Sequence, residues 1–137
     1  MGYTNYWRRT EKPITQEFVD GVKKIIAESN KKGISIRGWD GTGNPEVTLE
    51  RVSFNGNRDI RTNHETCYFD NDFNDDVFRD SDGEIFGFCK TARKPYDYTV
   101  KRVLRLAKKQ GLINCWSCDG ECKTTTDRDY LGELLPF

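Results

Sequence analysis

The chain has 137 residues, 35% hydrophobic and 32% charged, with eight Phe, six Tyr and three Trp. That supplies enough large apolar side chains for one folded domain and excludes a disordered chain. A formal net charge of zero lacks the positive excess usual in nucleic-acid-binding domains, and no apolar run approaches the ~20 residues that cross a bilayer.

The opening segment, Met1 to Thr10, places arginines after aromatics and has no apolar signal-peptide core. The five cysteines are odd in number, which favours reduced thiols over a disulfide framework. The expected location is the cytoplasm.

In chain order, Tyr3 to Arg8 is aromatic-rich and predicts a strand. Thr15 is a helix N-cap, with Ile14 and Val19 spaced as a hydrophobic staple. Phe18, Val22, Ile25, Ile26 and Ser29 mark the inward face of that helix, and Gly33 falls at its C-terminal cap. A β region follows. Ile34 and Ile36 alternate with polar residues, and Asp40-Gly41 and Gly43-Asn44-Pro45 turn the chain. Val47 and Leu49 share one phase and Val52 and Phe54 the other, so Glu50-Arg51 predicts a bulge or tight turn. Asn55-Gly56 is a further turn signal, and Thr66 to Phe69 another strand.

The stretch to Gly83 is acidic and predicts an exposed loop. Glu84 to Thr91 predicts a strand with Phe86 and Phe88 on one face, Ile85 and Cys89 on the other. Pro95 suits the first turn of a second helix, and Asp97 complements its dipole. Tyr96, Val100, Val103, Leu104 and Ala107 form the apolar stripe, closed by Lys108-Lys109 and Gly111. Leu112 to Ser117 predicts a last strand and Asp129 to Leu135 a short terminal helix. The expected fold is a single α+β domain over residues 1–137, a mostly antiparallel sheet packed by two amphipathic helices.

The zero net charge hides a segregation. Residues 65 to 84 hold eight carboxylates against Arg79 alone, whereas residues 90 to 109 hold eight cations against Asp97 alone. One face is therefore expected to attract anions, unless the two segments neutralise each other. The richest run is Phe88-Cys89-Lys90-Thr91-Ala92-Arg93-Lys94-Pro95-Tyr96-Asp97, which joins a strand to a helix start. Free N–H groups and the helix dipole favour an anion there. Lys90, Arg93 and Lys94 add charge and Thr91 a hydroxyl, with Arg93 able to grip a phosphate through two bonds. Tyr6, Trp7 and Trp39 are the candidates to stack on a base.

That run, together with Gly2-Tyr3-Thr4-Asn5-Tyr6-Trp7, Asp40-Gly41-Thr42-Gly43, Phe54-Asn55-Gly56 and His64-Glu65-Thr66, resembles an uncharacterised family of small proteins of tailed phages, prophages and bacterial genomes. The similarity covers most of the chain. It implies a phage-type accessory protein in a host cytoplasm and implies no reaction. The acidic loop and the cysteine-rich tail depart from the family pattern.

Cys115, Cys118 and Cys122 have the opening spacing of a zinc knuckle but supply three ligands where four are needed, so no metal or cofactor is expected. The acidic loop fails as a calcium loop because Asp75 stands where glycine is required. His64 is the sole histidine. A nucleophile pair of Cys89 with His64 is conceivable, with Lys90 and Arg93 lowering the thiol pKa, but a packed Cys and a structural His are the simpler alternative.

These residues rank the functions. First stands an accessory protein that binds a phosphorylated small molecule or nucleotide, such as one sequestering a host signalling nucleotide in counter-defence. Second is a protein-binding inhibitor of a host defence enzyme, docking through a charged face. Third is a hydrolase or transferase using His64 or Cys89. Nucleic acid ranks below all of these, no membrane partner is expected, and the oligomeric state is left open.

Overall fold

The computed structural model describes residues 3–73 and 84–119. The predicted terminal helix, most of the acidic loop and Cys122 lie outside these residues. The elements are β1 (Thr4–Arg9), α1 (Gln16–Lys31), β2 (Glu46–Val47), β3 (Arg51–Phe54), a 3-10 turn (Arg58–Ile60), β4 (Cys67–Asp70), β5 (Ile85–Lys90), α2 (Asp97–Lys109) and β6 (Ile113–Cys118). The strands form two antiparallel sheets, ordered β5-β1-β6 and β2-β3-β4. The chain is an α+β fold, and the strand material expected in one sheet is divided between two.

Both helices are set by local chemistry. Thr15 Oγ1 accepts the Phe18 amide at 3.1 Å, and Ile14 and Val19 are both buried, as a staple requires. Thr15→Ala is expected to lower stability by about 1 kcal/mol, read as a shift in the urea midpoint at unchanged slope. At the other end Gly33 adopts φ +88, its amide bonds to the Asn30 carbonyl, and the Ile34 amide bonds to that of Ser29. This is a Schellman close. Helix α2 ends the same way, with Gly111 at φ +81 and the Leu112 amide on the Ala107 carbonyl. Its start differs from expectation. Pro95 lies in the turn before the helix, Tyr96 is the N-cap and Asp97 the first helical residue.

Strands β5 and β6 flank β1 on either side, both antiparallel to it. They are therefore parallel to each other, and α2 crosses from one to the other over the inner face, a split βαβ unit. In β2-β3-β4 the Glu50-Arg51 phase break is a tight turn, with the Thr48 amide on the Arg51 carbonyl at 2.9 Å. The Ile34–Ile36 segment forms no full strand, only an Arg37–Asn55 bridge.

One hydrophobic core joins the two sheets and both helices. Phe18, Val22 and Ile25 from α1 meet Val100, Val103 and Leu104 from α2, Val52, Phe54 and Phe69 from the second sheet, and Trp7 from the first. Trp7 stacks on Phe69 at 5.2 Å between ring centroids, and Phe18 meets the same ring edge-on at 5.8 Å. The aromatic seam fixes one sheet against the other.

Candidate anion-binding loop and the buried network beneath it

The loop between β5 and α2 is anchored from below by a closed polar network. Asp97, Lys101, Asn5 and Thr91 are all fully buried. Asp97 Oδ1 accepts from Asn5 Nδ2 and from Thr91 Oγ1, each at 2.7 Å. Lys101 Nζ donates to Asp97 Oδ2, Asn5 Oδ1 and Tyr3 Oη, each at 2.9 Å, which uses all three ammonium protons. Burial, and then the Asp97 carboxylate, pushes the Tyr3 phenol up to about 12. The phenol therefore stays protonated, and it donates to Cys118 Sγ at 2.8 Å while accepting from Lys101.

This network corrects two expectations. The negative charge at the start of α2 is the chain's own Asp97, inside the fold. Lys101 and Arg102, counted above among the anion-attracting cations, are also interior. Lys101 is spent on Asp97, and Arg102 Nη1 bonds Glu28 Oε1 of α1 at 2.9 Å. Arg102 thus ties the two helices together rather than facing a ligand.

The sequence-predicted site residues are only partly brought together. Thr91 and Trp7 are withdrawn. Thr91 spends its hydroxyl on Asp97, and Trp7, 5% exposed, is packed on Phe69. Lys90, Arg93 and Lys94 remain on the outer side of the loop, where Ala92 and Arg93 both take positive φ, 53° and 58°. They fan out. Arg93 lies over the Tyr3 ring at 4.0 Å, and Lys94 Nζ reaches the Arg61 carbonyl at 3.1 Å. The Lys90 amide donates to Glu65 Oε1. Trp39, 68% exposed, stands apart, over a shallow cavity of about 440 Å³ that it shares with Tyr68, Arg51, Glu46, Ser53 and Thr66.

Tyr6 is placed with Lys90. Pairing sets Tyr6 opposite Phe88 and Thr4 opposite Lys90, and Phe86, Phe88 and Lys90 alternate onto the same outer face. Phe86 and Phe88 are 38% and 43% exposed, with Tyr6–Phe86 and Phe86–Phe88 centroids 6.0 and 5.9 Å apart. A row of three rings ending in a cation thus crosses the outer sheet face. The alternation of residues 84–91 contained this signal, but it could not say which face would be outermost.

The remaining candidates are dispersed. Cys89 is fully buried, with its Sγ turned to the Glu65 carbonyl at 3.5 Å, while His64 is exposed. Neighbouring Cys67 is buried too, and burial followed by Cys89 pushes its thiol up. A solvent-borne substrate cannot reach Cys89 without opening the core. Cys115 pairs opposite Arg8 and Cys118 opposite Asn5, so their side chains take opposite faces of β6. Cys118 is in a disulfide rather than reduced.

Comparison with family models, with curated proteins and with solved structures gives no match to this chain. No helix among the described residues is long and apolar enough to cross a membrane.

Proposed function

We propose that the chain binds a phosphorylated small molecule or nucleotide on the outer face of the β5-β1-β6 sheet, in the manner of a phage-type accessory protein that sequesters such a molecule. The observation that carries this reading is the register that sets Tyr6 against Phe88 with Lys90 next along the same face. Bases stack on such rings with about 1–3 kcal/mol each, without needing a shaped pocket. Lys90 takes the phosphate, and Arg93 and Lys94 on the same loop raise its local concentration. Relative to the expectation from sequence, Phe88 and Phe86 replace Trp7 as stacking partners.

Titration with adenosine monophosphate, adenosine and inorganic phosphate, read by melting temperature, tests this. The monophosphate is expected to stabilise the protein more than either part, and Phe88→Ala to weaken it by about 5- to 150-fold, the equivalent of one lost stack. No stabilisation by any member of a broad nucleotide set overturns the reading.

A second reading, a protein-binding inhibitor, is favoured by the position of β5 at the edge of its sheet among the described residues. An edge strand bearing exposed rings suits strand addition by a partner. That reading predicts salt-sensitive capture of a host protein, and recovery of none at low salt removes it.

A further inference from the structure

The outer face of the β2-β3-β4 sheet carries a separate group of rings and polar side chains. Val47, Val52, Cys67 and Phe69 turn to the core, so Glu46, Arg51, Ser53 and Tyr68 alternate outward. Pairing sets Glu46 opposite Ser53 and Ser53 opposite Tyr68, one row across three strands with the smallest side chain in the middle. Trp39 and Thr66 complete the lining of the cavity of about 440 Å³ over this row.

Two features set this hollow apart from ordinary surface. The first is Trp39, whose side chain is left in solvent although its backbone is fixed. Its carbonyl accepts from Asn55 Nδ2 at 3.1 Å and from Thr66 Oγ1 at 2.5 Å, and the Gly38 amide closes the loop on the Thr42 carbonyl at 2.9 Å. A held backbone thus presents an indole to solvent, and Tyr68 is also exposed. The second is Ser53. It is 5% exposed, yet its hydroxyl opens on the cavity and has no hydrogen-bond partner among the described residues. A hydroxyl so nearly withdrawn from water gains from a partner. Glu46 Oε2 and Arg51 Nη1 stand 3.7 Å apart, too far for a hydrogen bond, with both side chains nearly half exposed. Each can turn to a ligand.

We infer that this hollow binds a neutral hexopyranose unit, whose C–H face rests on the aromatic rings and whose hydroxyls meet Ser53, Glu46 and Arg51. A sugar ring is apolar on its faces and polar around its rim. The lining matches both parts, with two rings beside a carboxylate, a guanidinium and a hydroxyl. Glu46 accepts from hydroxyls, Arg51 donates to them, and Ser53 does both. The charges of Glu46 and Arg51 cancel, so the lining favours a neutral ligand over a phosphate or an amine. The volume falls within the ~300–1,000 Å³ of small-molecule sites. The site lies on the other sheet from the proposed phosphate site and shares no residue with it.

The test is a titration of ¹⁵N-labelled protein with methyl β-glucopyranoside, methyl β-galactopyranoside and methyl α-mannopyranoside, following the indole N–H signals. Sorbitol, which has more hydroxyls but no ring, and adenosine serve as controls. At least one pyranoside is expected to move the Trp39 signal saturably at about millimolar concentration and to leave Trp7 in place, while sorbitol moves neither. Glu46→Gln, at an exposed position that spares the core, is expected to weaken that pyranoside by about tenfold, the loss of one charge-assisted hydrogen bond. An equal response to sorbitol, a Trp39 shift with adenosine but with none of the pyranosides, or no saturable shift at all would each overturn the inference. Because the pyranosides carry neither base nor phosphate, these outcomes are independent of the nucleotide titration.

Discussion

Lys101→Met is expected to destabilise the protein by about 3–5 kcal/mol, a large share of the 5–15 kcal/mol that holds a typical domain folded. The substitution fills nearly the same volume, so the loss comes from what it leaves behind. The fully buried Asp97 carboxylate loses its ammonium partner, and Tyr3 Oη and Asn5 Oδ1 lose a donor. The double variant Asp97→Asn/Lys101→Met removes the stranded charge and is expected to recover part of the loss, giving a coupling well above the usual error of a mutant cycle. Urea unfolding of the four proteins checks this. A single variant within 1 kcal/mol of the wild type would mean that water enters the network and that the loop above it is not rigidly anchored.

Phe69→Ala is expected to cost a similar amount, about 3–5 kcal/mol, through the cavity left in the core. Its second effect is more diagnostic. Phe69 is the ring on which Trp7 stacks and against which Phe18 and Arg9 pack, so it joins elements from both sheets and α1. Near-ultraviolet circular dichroism should lose the signal of the Trp7 stack while the far-ultraviolet helix signal persists at low denaturant. Loss of both together would show that the two sheets do not depend on this seam separately from the helices.

What could be read in the sequence was what local chemistry determines. Thr15, Gly33 and Gly111 announce helix ends because caps act over three or four residues, and Tyr96, Val100, Val103, Leu104 and Ala107 repeat at the helical period. The division into two sheets was not legible, because the partners of β1 lie some 80 to 110 residues away and nothing local encodes that pairing. The candidate site suffered in the same way. Lys101 and Thr91 read as exposed by type, yet both are interior, since burial depends on Asn5 and Tyr3 arriving from the first strand. One clue was present. Asp97 and Lys101 stand four apart within the apolar stripe of α2, where solvated charges do not belong.

The placement of β1 between β5 and β6 bears on how the molecule forms. During synthesis the segment 4–9 emerges well before its neighbours, which both belong to the last third of the described chain. Its amides and carbonyls stay unpaired while about a hundred further residues are added at roughly 5–20 residues per second, a wait of several seconds or more. Helix α1 and the β2-β3-β4 meander can close on local contacts in that interval, but the sheet carrying the proposed phosphate site cannot. Such high contact order slows the final step and leaves an aromatic, unpaired strand open to wrong partners until the split crossover locks over it.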